Sequence, residues 1–312
     1  MRQRIITGII FTLVIAAFII PGYWTIWPPV VLFLAIALLA SRELIGALRQ
    51  HRLDASYRLA YAGSLLILTP LAGGWLFQSS GLLPDAVVPL GSRLAAGLMR
   101  IETPLISLGL TLFIMILVIM VGSIILLLKK GPDRLPDAVS TMVVIGYVVF
   151  PLSCPILLLD QVPGGWLWVV ISLATPWISD VSAFFVGSFC GRRPIVPILS
   201  PKKTVEGFFG GIAGSMLIQI VIFLLFRQQI SQPDRPLDLA SLLLFAMLTG
   251  AVLSIASQLG DWFASGFKRW CCVKDFGKLM PGHGGIMDRF DSAFFTLPLT
   301  LVMAFLYQVA QA

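Results

Sequence analysis

Charge is the scarcest commodity in this sequence. Of 312 residues only 12% are Asp, Glu, Lys or Arg, while 58% are hydrophobic. A soluble domain carries roughly a quarter charged residues. With a mean hydropathy of +0.94, the composition excludes an ordinary water-soluble fold. Histidine is nearly absent, with His51 and His283 alone, and the four cysteines (Cys154, Cys190, Cys271 and Cys272) form no CxxC pair. No zinc site of the usual ligand spacing emerges from that set. Fixed-period repeats and low-complexity segments are also missing, which weighs against a transporter built on inverted repeats. The net charge of +7 would suggest nucleic acid on a soluble protein. Here it reads as topology and as affinity for anionic lipid or phosphate, with no nucleic-acid partner.

Long apolar runs are what the chain has in abundance. A hydrocarbon core roughly 30 Å thick needs about 20 apolar residues to be crossed as a helix. The expected fold is all-α and polytopic, with about nine spans near 5–24, 28–47, 59–77, 104–128, 137–159, 166–189, 206–226, 238–262 and 290–310. The first span begins like a signal peptide, but no small-residue cleavage site follows it, so it is expected to be retained. With the N-terminus inside, 17 of the 22 basic residues fall on inside segments, four fall outside and Arg42 lies within a span. That asymmetry predicts a cytoplasmic N-terminus. Residues 1–136 read as four membrane helices. Residues 137–312 read as a five-span catalytic unit with cytoplasmic loops 190–205 and 263–289. Trp24, Trp27, Trp166 and Trp168 lie near span ends and are expected to be interfacial anchors.

The last inside loop has more than its topology requires. It joins Asp261, Ser265, Lys268, Arg269, Lys274 and Asp275 to a glycine-rich turn, Gly282-His283-Gly284-Gly285, followed by Asp288, Arg289 and Asp291. Glycine lets backbone approach a ligand, and amides at a helix start can face a phosphate. Asp288 and Asp291 share a face if the last helix begins near Met287. Carboxylates at the hydrocarbon boundary are costly unless paired or metal-bound, and Mg²⁺ takes one or two of them plus water and substrate phosphates. The plainer reading makes both residues helix-start acids worth about 0.3–1 kcal/mol each.

A second cluster runs from Asp180, inside an apolar span, through Arg192 and Arg193 to Ser200-Pro201-Lys202-Lys203-Thr204-Val205-Glu206-Gly207. Cations, hydroxyls and a glycine-rich helix start make a plausible phosphate seat. Positive-inside charge with a Ser200 cap explains the lysines but leaves Asp180 unexplained. Arg42 and Glu43 read as a structural pair, and His51 as a solvated loop residue.

The 27-position run Ser265-x-x-Lys268-Arg269-x4-Lys274-Asp275-x-Gly277-x3-Pro281-Gly282-His283-Gly284-Gly285-x2-Asp288-Arg289-x-Asp291 resembles the signature of phosphatidate cytidylyltransferases (CDP-diacylglycerol synthases). The Asp180 segment and the Ser200–Gly207 run are similar to that family too. The family often has Glu where this chain has Ala264 and Tyr where it has Phe184. The resemblance implies that CTP and phosphatidate give CDP-diacylglycerol and pyrophosphate with Mg²⁺, which a second cation could accompany. It implies metal binding by Asp261 and Asp288, and a catalytic role for these with Lys203, Lys268 and Arg269. Substrate contacts are expected from Asp180, Ser200, Thr204, Glu206, Lys274, Asp275, His283, Gly284, Gly285, Arg289 and Asp291. The expected setting is the inner (plasma) membrane, among membrane lipids, with the site facing the cytoplasm. The sequence leaves open whether the chain acts alone or as a homodimer. Two rival readings are a CTP-dependent polyprenol or phytol kinase, and a non-catalytic transporter or scaffold of the same fold.

Overall fold

The computed structural model describes residues 2–72, 93–230, 237–282 and 284–311. Eight of its helices are long and apolar enough to cross a membrane: Ile6–Tyr23, Trp27–Gln50, Pro104–Lys129, Pro132–Gln161, Gly165–Cys190, Val205–Leu225, Leu239–Trp270 and Met287–Ala310. Each coincides with an expected span. The remaining one, 59–77, is helical over 57–72, and the rest of it lies outside the described residues. The chain is an all-α, multi-pass membrane protein.

Local chemistry sets several of the boundaries. α1 is Arg2–Ile19 and α2 is Trp27–Gln50, the latter opening with proline in its first turn, where a missing N–H costs nothing. α3, Tyr57–Ser64, is capped by the Ser56 hydroxyl, which accepts from Leu59 N. α4 is Arg93–Lys130, and Gly131 ends it at φ 88°. α5 (Leu135–Val144) and α6 (Phe150–Gln161) form one span through a π-helical stretch, Ile145–Val149. Pro151 and Pro155 follow and lack the N–H groups that a regular ladder needs. α7 is Gly165–Cys190. α8, Val205–Leu225, is capped by Thr204. The short α9, Arg227–Ile230, precedes α10, Leu239–Trp270, which is capped by Asp238. The last span is α11 (Met287–Phe290) and α12 (Ala293–Ala310).

One core of buried residues runs from Ile15 to Tyr307 and draws on both halves of the chain. Within it, α7 and α8 approach closely because α8 presents Gly207, Gly210, Gly211 and Gly214 on one face. A Cβ at Gly211 would stand 2.9 Å from Ser179 Oγ and 3.1 Å from Gln258 Nε2. Lipid gives no hydrophobic drive between helices, so small-residue contacts and interhelical hydrogen bonds hold them instead. Gln219 Nε2 donates to Thr175 Oγ1 at 3.0 Å, Ser179 and Ser254 share a hydroxyl pair at 2.8 Å, and Thr296 donates to the Ser172 carbonyl at 2.9 Å.

Three expectations are corrected. α10 continues to Trp270, more than two turns beyond residue 262, so Ser265, Lys268 and Arg269 are helical and the last loop begins at Cys271. Phe263, Phe267 and Trp270 continue the helical period there, and basic residues suit a helix C-terminus. The loop over 190–205 holds a small antiparallel hairpin, β1 (Pro194–Val196) with β2 (Ser200–Thr204). Trp168 is not an interfacial anchor: it is 1% exposed and packs edge-on against Phe223 and Tyr307. Trp24 and Trp27 are exposed.

Candidate active site

Three helices, α7, α10 and α11, and the hairpin bring together opposite charges. Asp261 and Lys268 lie seven residues apart on α10, which is two turns and therefore one face. Asp261 Oδ2 accepts from Lys203 Nζ at 2.5 Å, joining β2 to α10. Lys268 Nζ donates to Asp288 Oδ1 at 3.1 Å and stands 3.8 Å from Asp291 Oδ2. Asp288 and Asp291 thus do share a face, and one ammonium bridges both. Gly260 permits the close crossing: a Cβ there would lie 3.1 Å from the Asp291 carbonyl oxygen.

A cavity of about 620 Å³ opens beside this cluster, lined by Asp180, Ser200, Lys203, Thr204, Gly207 and Asp261 among others. That volume is in the range of small-molecule sites. Asp180 is exposed to it and lies within electrostatic reach of Lys203, Asp261 and Arg289. The intramembrane acid and the two sequence clusters therefore form one site. Phe184 also lines the cavity and is 69% exposed. Ala264 is fully buried.

Several expected site residues have structural partners. Asp288 Oδ2 accepts from Phe276 N and Gly285 N, both at 2.9 Å. It ties the glycine turn to the segment before it. Gly284 adopts φ +81°, and its carbonyl accepts from Met280 N at 2.9 Å. Thr204 Oγ1 accepts from Gly207 N at 3.1 Å, and Glu206 Oε2 accepts from the Arg192 and Arg193 amides at 3.0 and 3.4 Å. These two side chains brace the hairpin against α8. Arg269, Lys274 and Asp275 are exposed, and among the described residues none of them lines the cavity or pairs with its carboxylates. His283 lies outside the described residues.

Two site neighbours, Glu43 on α2 and Tyr147 on the π-helical stretch, lie outside both sequence clusters, where sequence alone gave little signal. Glu43 on α2 does not pair with Arg42. Its carboxylate accepts from Ile286 N at 3.1 Å and Met287 N at 2.8 Å. Tyr147, on the π-helical stretch, packs against Phe263, Phe294 and Phe295. Its hydroxyl is buried with no partner among the described residues, within electrostatic reach of Asp291 and Asp261. A π-turn often marks a functional position, but no residue pattern announced this one.

The donor set can be tested against a metal. Among the described residues no group of three His, Cys, Asp or Glu side chains could hold an ion alone. Asp291 lies within electrostatic reach of both Asp261 and Asp288, and hard carboxylate oxygens are the kind Mg²⁺ uses, completing its shell from water and phosphates. A two-carboxylate site finished by substrate fits these residues.

The comparisons with known proteins agree with the geometry. A model described as the cytidylyltransferase family matches residues 2–307. The chain is similar to proteins named phosphatidate cytidylyltransferase. The one from Staphylococcus epidermidis is 40% identical over 139 residues, which is 45% of this chain and 49% of that protein. The one from Staphylococcus saprophyticus is 34% identical over 176 residues, 56% of this chain and 62% of that protein. For Staphylococcus aureus the identity is 37% over 138 residues, 44% and 48% of the two chains. The chain spans about half the length of most of these curated relatives. Because the family match runs from residue 2 to residue 307, the chain belongs to the cytidylyltransferase family.

Proposed function

We propose that the protein is a phosphatidate cytidylyltransferase. A phosphate oxygen of phosphatidate attacks the α-phosphorus of CTP, the bond between the α-phosphorus and its bridging oxygen breaks, and CDP-diacylglycerol and pyrophosphate leave. The observation that carries this reading is the alternation of Asp180, Asp261, Asp288 and Asp291 with Lys203, Lys268 and Arg289 beside a 620 Å³ cavity at one end of a membrane bundle. The nucleophile is a phosphate monoester whose second pKa is near 6, so it needs no strong base. What it needs is cancellation of the repulsion between two polyanions, held in line. Lys203, Ser200 and Thr204 line the cavity, and Lys268, paired with Asp288, supplies fixed positive charge beside it. Asp261 and Asp288 would hold Mg²⁺, with Asp291 beside them, and a second cation is compatible with this acidic surround. The bound metal would supply charge neutralisation at the transferring phosphoryl oxygens. The excess of basic residues on one set of loops supports a cytoplasmic site in the plasma (inner) membrane, where CTP is available.

Purified protein given phosphatidate and α-labelled CTP tests the reading. Label appearing in lipid, with stoichiometric pyrophosphate, is expected. Transfer of γ-label to a polyprenol or phytol with CDP release would make it a kinase. No turnover with either acceptor would leave a scaffold or transporter.

Tyr147 gives a second test. Its buried hydroxyl lies within electrostatic reach of Asp261 and Asp291, and we read it as a donor to a water beside those carboxylates. A hydrogen bond to a charged group contributes about 1.5–3 kcal/mol, so Tyr147→Phe is expected to lower kcat roughly 10- to 100-fold. Because the hydroxyl has no partner among the described residues, the melting temperature should stay level or rise. Unchanged kcat would remove Tyr147 from the site, and a lowered melting temperature would mark it as structural.

A further inference from the structure

We infer that Glu43, on the second span, is a positioning residue for this centre: it fixes the turn that carries Asp288 and Asp291, and Gly285 is glycine to make room for it. The inference rests on the cytidylyl-transfer reading of the site.

Three observations converge. Glu43 stands 243 residues before Ile286, yet its two carboxylate oxygens accept separately from consecutive amides, Ile286 N at 3.1 Å and Met287 N at 2.8 Å. These are first-turn N–H groups of the last span, which have no partner within their own helix. An anionic acceptor is favoured there both by hydrogen bonding and by the helix dipole. Second, a Cβ at Gly277 or at Gly285 would run into the Glu43 carboxylate itself. At Gly285 the φ angle is not positive, so space rather than backbone freedom requires glycine. Third, Asp288 repeats the device from the other side. Its Oδ2 accepts from Gly285 N and Phe276 N, so the amides of residues 285, 286 and 287 all end on carboxylates. The segment that could present a row of amides to phosphate is thus turned onto the protein's own acids. Its stiffness aims Asp288 Oδ1 at Lys268. Glu43 does not itself line the cavity and acts through the turn.

Kinetics of single and double variants test this against two alternatives, mere packing and glycine as a substrate contact. Glu43→Gln keeps the shape but sets an NH₂ against a backbone donor. It is expected to lower kcat at least about tenfold, with the KM for CTP within about twofold of the parent, because an interaction lost only in the transition state moves kcat. Wild-type-like turnover of Glu43→Gln would overturn the inference. Gly285→Ala should cause a comparable loss in the parent background and almost none when added to Glu43→Ala, since the clashing carboxylate is then gone. Equal fold-losses in both backgrounds would mean that Gly285 serves substrate, and would also overturn it. If Glu43→Ala does not fold, the Glu43→Gln measurement decides alone. An inactive parent protein would instead defeat the functional reading on which all of this stands.

Discussion

Replacing Asp261 by Asn is expected to lower turnover at least about 100-fold, the loss typical when one preorganised electrostatic group is removed from a transition state. Asn keeps the shape and leaves an oxygen for Lys203, so the change isolates the negative charge. Asp261 is where the two sequence clusters meet: it lines the cavity with Asp180, receives Lys203 from the hairpin at 2.5 Å, and shares its helix face with Lys268. The Lys203–Asp261 side chains are 29% and 27% exposed, so their pairing contributes little to folding, on the order of 1 kcal/mol. The variant should therefore insert and melt much as the parent does. Its requirement for Mg²⁺ should rise as kcat falls, because one of two proposed carboxylate ligands is gone. The measurement is label incorporation from CTP into lipid across a Mg²⁺ titration, with a thermal melt as control. Turnover close to the parent at the same Mg²⁺ concentration would remove Asp261 from the chemistry. Lys203→Met should be equally damaging, since it strips the cavity of a fixed cation.

The spans were legible because lipid imposes a simple rule on sequence: long uncharged runs bounded by polar loops. Each described membrane helix lies within a few residues of its expected run. The exception in extent is α10, whose last two turns are amphipathic and carry Lys268 and Arg269. A hydropathy reading ends where charge begins, whereas the backbone continues while Phe263, Phe267 and Trp270 keep the helical period. The partnership of the two clusters was also readable, since Asp180 demanded a reason that topology did not give. What could not be read was reach across the sequence. Glu43 looked like half of a local pair with Arg42, and only the fold carries it to Ile286 and Met287. Tyr147 was one aromatic residue in an apolar span, and only the fold brings its hydroxyl within electrostatic reach of two acids. The glycine turn was the subtler case. Its composition suits phosphate, but the described amides of Gly285, Ile286 and Met287 are taken up by Asp288 and Glu43.

The dual engagement of Asp288 makes its substitution the most discriminating of the large effects. One oxygen holds the loop, through Phe276 N and Gly285 N at 2.9 Å. The other faces Lys268 at 3.1 Å. With its side chain 5% exposed, Asp288 is as much strut as proposed ligand, and two variants separate those roles. In Asp288→Asn the amide oxygen can still accept from both backbone donors, while the NH₂ replaces charge toward Lys268. In Asp288→Ala both functions go. If Asp288 were only a strut, Asn would retain most activity and Ala would lose it. The charge arrangement leads us to expect the other pattern: both variants fall at least about 100-fold, and only Ala also loses stability, by about 1–3 kcal/mol for backbone donors left unsatisfied in a buried turn. Raising Mg²⁺ should not restore the Asn variant, because the missing charge leaves Lys268 with Asp291 alone at 3.8 Å. Near-parental turnover of Asp288→Asn would take this residue out of the metal site and leave Asp261 and Asp291 as the pair to examine.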